Sequence, residues 1–159
     1  MKILVIGAST SGKTTLVKYL RSIRNDLPIS EIDEELMAIN KGVFPLDESL
    51  KKEVLTPKVI KDILNKENII FFSNTDYFTI QDLKSYKDKG FKIVQLELSL
   101  DKLMERNRKR TTENGYPDIS EYLPGMVEYQ DEINKSGLVD EVIDANLYTE
   151  MIAKKILKL

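Results

Sequence analysis

The chain has 159 residues, contains neither cysteine nor histidine, and carries 24 basic against 26 acidic side chains, which gives a formal net charge of -2. These counts exclude disulfides, thiolate nucleophiles, zinc sites built on Cys or His, and catalytic triads that use imidazole. The length fits one domain over residues 1–159. No apolar run approaches the roughly 20 residues that span a bilayer, so we expect a cytoplasmic protein with no membrane partner.

Short apolar runs rich in Ile, Val and Phe alternate with longer segments of helical spacing, which is typical of parallel α/β folds. Strands are predicted at residues 3–6, 29–32, 68–73, 91–98 and 139–143. Helices are predicted at residues 13–24, 34–40, 57–66, 81–89, 100–110, 119–136 and 148–159. Two segments without a periodic pattern, 41–56 and 111–118, are predicted to be loops.

Residues 7–14 read Gly-Ala-Ser-Thr-Ser-Gly-Lys-Thr and match the pattern G-x-x-x-x-G-K-[ST] between a predicted strand and a predicted helix. Such a loop curls its backbone N–H groups around phosphates, and the helix that follows adds its positive dipole end. Lys13 is expected to reach the β- and γ-phosphates of ATP, and the Thr14 hydroxyl to hold Mg²⁺. A chance match in a flexible turn is the alternative. The expected nucleotide-binding residues are Gly7, Ser9, Thr10, Ser11, Gly12, Lys13, Thr14 and Thr15.

With this motif in this setting, the chain resembles the small P-loop kinases, which include shikimate, gluconate, adenylate and cytidylate kinases. The resemblance implies a three-layer α/β P-loop NTPase fold, in which a five-stranded parallel sheet of order 2-3-1-4-5 has helices on both faces. It also implies an acceptor-binding segment at about residues 34–60 and a short lid at about residues 106–122. Members of this group transfer the γ-phosphate of ATP to an acceptor.

Two carboxylates lie at the end of the second predicted strand. Glu31 and Asp33 are similar to the Asp-x-Asp segment of the shikimate kinase type. Residues two apart on a strand point to one face, so both are expected beside Lys13 and Thr14. There they would help Thr14 to hold Mg²⁺, while Asp33 accepts the proton of the acceptor hydroxyl. The alternative is that Asp33 only caps the helix that follows.

Asn74, Thr75 and Asp76 follow the third predicted strand and are similar to a stretch of the polynucleotide-kinase-like branch. Strand ends at the carboxyl edge of a parallel sheet line the ligand crevice, so these side chains can contact the acceptor or metal-bound water. Alternatively, they only form a turn into the next helix. The sequence leaves both interpretations open.

Three of the chain's arginines lie within residues 106–110, which resemble the start of a kinase lid. Arg106 and Arg110 are four residues apart and share a helix face, whereas Arg108 points away from it. Arg106 and Arg110 are expected to act in catalysis by stabilising charge on the transferring phosphoryl group. A solvated helix end is the alternative interpretation.

Residues 37–53 contain no arginine, although relatives carry one there that binds an anionic acceptor. The only cations in this stretch are Lys41, Lys51 and Lys52, so a strongly anionic acceptor is poorly supported. The near-neutral net charge likewise does not favour a nucleic acid as partner. The sequence does not indicate the oligomeric state.

These features predict an ATP- and Mg²⁺-dependent phosphotransferase that acts on a hydroxyl of a small molecule, a nucleoside or nucleotide, or a nucleic-acid end. The alternative is a nucleotide-dependent regulatory or binding module that keeps the loop but has no kinase activity. The residues that select the acceptor fall in the two segments without a periodic pattern.

Overall fold

In the computed structural model, which describes residues 1–159, parallel strands form one five-stranded sheet. The strands are β1 (Lys2–Gly7), β2 (Ile29–Glu31), β3 (Ile69–Asn74), β4 (Lys92–Glu97) and β5 (Glu141–Asp144). Their order is β2-β3-β1-β4-β5, and every neighbouring pair is parallel. The predicted sheet order is therefore confirmed.

Helices connect successive strands and cover both faces of the sheet. They are α1 (Lys13–Ile23), α2 (Ile32–Ile39), α3 (Thr56–Leu64), α4 (Ile80–Asp88), α5 (Leu100–Asn114), α6 (Leu123–Lys135) and α7 (Thr149–Ile156). A π-helix (Leu50–Leu55) runs directly into α3, and 3₁₀ turns form at Thr75–Tyr77 and Ser120–Tyr122. No helix combines the length and apolar character needed to cross a lipid bilayer.

The central strand β1 buries both of its faces, because alternate side chains enter two separate hydrophobic clusters. Ile3 and Val5 pack in the cluster covered by α1, α5 and α7. Leu4 and Ile6 pack in the cluster covered by α2, α3, α4 and α6. This three-layer packing fixes the position of Gly7 and of the loop that follows it.

The structure corrects the two predicted loops. In segment 41–56, residues 50–55 form the π-helix, whose wider turn does not produce the 3.6-residue spacing of an α-helix. The Thr56 hydroxyl donates to the carbonyl of Lys51 at 2.8 Å and supports that turn. In segment 111–118, α5 continues to Asn114 and ends at Gly115, whose φ of 68° is the left-handed conformation typical after a helix.

The structure also corrects the position of Asp33. Strand β2 ends at Glu31 and α2 begins at Ile32, so Asp33 lies in the first turn of the helix and neither on the strand nor at the cap. Arg21 holds this junction: its guanidinium donates to the carbonyl of Ile29 at 2.7 and 3.1 Å and to the Glu34 carboxylate at 2.6 and 2.7 Å. The junction is thus tied to α1, the helix that follows the phosphate-binding motif.

Leu4→Ala tests the packing beneath that loop. Leu4 is fully buried, so we expect the free energy of unfolding to fall by about 2–5 kcal/mol, measured by urea denaturation. The matched control is Leu46→Ala, because Leu46 is 87% exposed and its loss should change stability by less than about 0.5 kcal/mol. Equal effects of the two substitutions would contradict this account of the core.

Candidate active site

A cavity of about 690 Å³ opens at the carboxyl edge of the sheet, where β1, β2 and β3 end. Ligands of open α/β proteins bind at this edge. The polar and charged side chains that the prediction assigned to the site and that line the cavity are Ser9, Thr10, Ser11, Lys13, Thr14, Thr15, Glu31, Asp33, Asn74, Arg106 and Arg110. The structure therefore brings together residues from four separate parts of the sequence.

The loop between β1 and α1 has a backbone that few side chains tolerate. A Cβ added to Gly7 would lie 2.7 Å from the Ser11 Oγ and 3.2 Å from the Leu96 Cβ, so only glycine fits against β4. Gly12 has a φ of 100°, and Thr10 has a φ of 67°, which is unfavourable for a β-branched residue. Such strain persists only where surrounding contacts hold it.

Helix α5 supplies those contacts. The Thr10 hydroxyl donates to the carbonyl of Leu103 at 3.2 Å. Arg106 donates to the carbonyls of Thr10 and Ser11 at 3.4 and 3.1 Å, and to the carbonyl of Ala145 at 3.2 Å. Arg106, predicted as a catalytic lid residue, thus binds the backbone of the loop and also lines the cavity.

The backbone amides at the start of α1 are free to bind an anion. The amides of Gly12, Lys13, Thr14 and Thr15 donate to no backbone carbonyl, as expected at a helix N-terminus. The Lys13 ammonium donates to the carbonyls of Gly7 and Ala8 at 2.9 and 2.8 Å. Burial lowers the pKa of Lys13 to about 8, although Asp76, Asp33 and Glu31 partly oppose this shift. The charge of this ammonium would be stabilised by an anion in the loop.

Two carboxylates lie opposite the loop. The Thr14 hydroxyl donates to the Oε2 atom of Glu31 at 3.1 Å. Burial raises the pKa of Glu31 and of Asp33, while Lys13 and Lys51 oppose the shift at Asp33. A hydroxyl next to a carboxylate suits Mg²⁺, which is usually held by one or two carboxylates, water and substrate phosphates. No group of three or more acidic side chains that could hold a metal ion is present.

The three polar residues at the end of β3, Asn74, Thr75 and Asp76, lie in different surroundings. Asn74 lines the cavity, and its amide nitrogen donates to the Ser9 Oγ at 3.2 Å. Thr75 is fully buried, and its hydroxyl has no hydrogen-bond partner. Asp76 lies 3.9 Å from the ammonium of Lys52. Only Asn74 of the three borders the cavity itself.

In the segment predicted as a lid, Arg110 lines the cavity, and its guanidinium lies 5.4 Å from the centre of the Tyr116 ring. Its Nε atom donates to the Oδ1 of Asn107 at 3.4 Å, and burial lowers the pKa of Arg110. Arg108 lines a separate depression, as its position on the helix predicted. Arg106 and Arg110 therefore line the cavity, whereas Arg108 lies outside it.

Sequence reasoning missed two supporting residues. Asn107 is 2% exposed and donates to Asp118 at 2.7 Å, so it ties α5 to the loop that follows this helix. Arg21, to which the sequence analysis assigns no role, binds both sides of the β2–α2 junction. A single Asn on the buried side of a helix is only a weak sequence signal for such a supporting role. The partner of Arg21 could not be read from the sequence, because it depends on where β2 ends.

No protein-family model matches the chain, and comparison with curated proteins gives no match either. Solved structures do match it over almost its whole length. Shikimate kinase from Aquifex aeolicus is 21% identical, with a TM-score of 0.75 over 99% of this chain and 95% of that one. A gluconokinase from Sinorhizobium meliloti is 16% identical, with a TM-score of 0.64 over 99% and 89%.

Deoxyadenosine kinase from M. mycoides is 19% identical, with a TM-score of 0.63 over 99% of this chain and 98% of that one. These likenesses cover almost the whole chain. The chain therefore has the fold of the small P-loop kinases.

Proposed function

We propose that this protein is an ATP-dependent kinase that transfers the γ-phosphate to a hydroxyl of an acceptor molecule. The observation that carries the proposal is that the loop and Lys13 line the same cavity as Asp33. Phosphoryl transfer needs a phosphate cradle and a proton acceptor on opposite sides of one space. The similar solved structures, which include a shikimate kinase, a gluconokinase and a deoxyadenosine kinase, support this reaction class.

The loop would bind the phosphates through its free amides and Lys13. On binding, the Lys13 ammonium exchanges the carbonyls of Gly7 and Ala8 for phosphate oxygens, which stabilise its charge far better. Thr10 and Gly12 keep the N–H groups turned inward, because their left-handed conformations are already in place before the ligand arrives.

Asp33 would receive the proton of the acceptor hydroxyl. Burial raises the pKa of this carboxyl, which makes it a better proton acceptor than a solvated aspartate, and Lys13 and Lys51 oppose that rise. Its place in the first turn of α2 fixes it beside the loop, and Arg21 holds that turn in position. The acceptor-binding segment at about residues 34–60 follows directly.

The Thr14 hydroxyl and the Glu31 carboxylate would hold Mg²⁺, and Asp33, which lines the same cavity, would bind metal-coordinated water. When bound, the ion would neutralise charge on the phosphates. The chain's own contribution is to keep the hydroxyl and the carboxylate 3.1 Å apart at the end of the loop.

Arg110 and Arg106 would contribute positive charge from the lid. Arg110 borders the cavity next to Tyr116, so a small movement of the lid brings its guanidinium toward the phosphates. Arg106 would act mainly by holding the carbonyls of Thr10 and Ser11 away from the phosphates.

Release of ADP over a panel of hydroxyl acceptors tests the reaction. We expect acceptor-dependent ADP release that Lys13→Ala lowers by about a hundredfold or more, because the charge on the phosphates loses its partner. The control is Lys18→Ala, which removes an exposed lysine from the same helix. If ATP binds but no acceptor is phosphorylated, the proposal fails and a nucleotide-dependent binding module is favoured.

Nucleotide affinity should depend on pH through Lys13. Above a pKa of about 8 the free protein loses the Lys13 proton, whereas bound phosphate raises that pKa, so binding must take up a proton. We therefore expect the affinity for ADP, measured by calorimetry, to fall about tenfold between about pH 7.5 and pH 9.

The control for this pH dependence is Lys13→Arg. Its guanidinium keeps its charge over the whole range, so its affinity for ADP should change little between about pH 7.5 and pH 9. Buffers of different ionisation enthalpy should report proton uptake for the wild type alone. The same decline in both proteins would show that Lys13 is not the titrating group.

Asp33→Asn separates binding from transfer. The amide keeps the shape but cannot accept a proton, so we expect acceptor turnover to fall by about a hundredfold or more while ATP affinity stays within about twofold. Glu35→Gln removes a carboxylate from the same helix and serves as the control. Wild-type turnover by Asp33→Asn would rule out the proposed base.

A further inference from the structure

One side-chain hydrogen bond connects the phosphate loop to the end of β3. The Asn74 amide nitrogen donates to the Ser9 Oγ at 3.2 Å, and both residues line the cavity. Asn74 is the last residue of β3 and is paired in register with Gly7, the last residue of β1. The bond therefore ties the first turn of the loop to the strand beside it.

The direction of this bond determines what the Ser9 hydroxyl can do. A serine hydroxyl has one hydrogen to donate and two lone pairs that accept. Asn74 is the only hydrogen-bond partner of the Ser9 hydroxyl in the protein, and it uses one of the lone pairs. The hydroxyl hydrogen is therefore free. Because Ser9 is partly exposed at the cavity wall, it can donate this hydrogen to an oxygen atom of a ligand.

The place of Ser9 in the loop indicates which part of a nucleotide it meets. The sheet order puts β3 and β2 on one side of the loop and β4 and β5 on the other. Ser9 is bonded to β3, whereas the next residue, Thr10, is bonded to Leu103 of α5. Asp33, the proposed base, lines the cavity from the start of α2, directly after β2. Ser9 therefore lies on the side of the loop that faces the proposed acceptor site.

Phosphoryl transfer requires the terminal phosphate of ATP to face the acceptor hydroxyl. A nucleotide on this loop must then direct its γ-phosphate toward β3 and Asp33, and its base toward the opposite wall, which Arg110 and Tyr116 line. The phosphate next to Ser9 is then the γ-phosphate, which ATP has and ADP lacks.

We infer that Asn74 is a positioning residue that directs the Ser9 hydroxyl at the γ-phosphate, and that this pair makes the protein prefer ATP to ADP. The inference rests on the proposed kinase function, which sets the direction of the nucleotide, and deepens it by assigning two groups to the phosphate that is transferred. The amide is essential to this role. An aspartate at position 74 would accept the Ser9 hydrogen and add a negative charge beside the phosphates.

Calorimetry with ATP and with ADP, with Mg²⁺ present and no acceptor, measures the proposed contact. For Ser9→Ala we expect the ATP affinity to fall about tenfold and the ADP affinity to stay within about twofold, because only ATP loses a hydrogen bond to a charged oxygen. For Asn74→Asp we expect the ATP affinity to fall about a hundredfold and the ADP affinity by clearly less, since the carboxylate both takes the Ser9 hydrogen and repels the γ-phosphate.

A double-mutant cycle tests whether Asn74 acts through Ser9. Asn74→Ala alone should lower the ATP affinity about threefold to tenfold, because the Ser9 hydroxyl loses its orientation. In the Ser9→Ala background the same substitution should cause no further loss of ATP affinity. A purely structural role of Asn74 would instead weaken both nucleotides and add to the effect of Ser9→Ala. The matched control is Asn65→Ala, which removes an exposed asparagine at the end of α3 and should change neither affinity.

The binding data also separate this inference from the kinase proposal. Equal losses of ATP and ADP affinity in Ser9→Ala, additive losses in the cycle, or wild-type ATP affinity in Asn74→Asp would overturn the inference, while acceptor-dependent ADP release by the wild type would still support the kinase. A loss confined to ATP, in a protein that phosphorylates no acceptor, would support the γ-phosphate contact and contradict the kinase. If the wild type binds neither nucleotide, both proposals are wrong.

Discussion

The turn from β1 into α1 directs several peptide N–H groups at one point. This requires left-handed backbone angles, which are unfavourable for residues that carry a Cβ atom. Thr10 adopts such an angle although it is β-branched. Its hydroxyl bond to Leu103 and the Arg106 bonds to the loop carbonyls compensate for the strain. Because both partners belong to α5, this helix and the phosphate loop are mechanically coupled, and the segment predicted as a lid begins on the same helix.

The sheet places the remaining groups relative to this turn. Parallel pairing aligns Gly7 with Asn74 on one side and with Leu96 on the other, so the strands end at one edge. Glu31 ends β2 at the same edge, next to Thr14. Three strand ends and two helix N-termini therefore meet at this edge, so a ligand site can form there without a long inserted loop.

The strands and the phosphate loop could be predicted from sequence because their signals are local: continuous apolar runs and a motif with fixed spacing. The burial of Lys51 in the π-helix could not be predicted, since a buried lysine reverses the ordinary meaning of charge in a sequence. Arg106 was found, but its partners were not, because backbone carbonyls carry no residue identity. The roles assigned to Lys13, Asp33 and the arginines stay predictions until they are measured.

The π-helix at Leu50–Leu55 has an evolutionary consequence. A π turn contains more residues than an α turn and often arises where a helix has gained one residue. Deletion of one residue there would restore α-helical periodicity and rotate the preceding residues by about 100° around the helix axis. Lys51 would leave its buried position, while α3 and the sheet kept their packing. A single codon loss would therefore be enough to change which side chain of this segment enters the core.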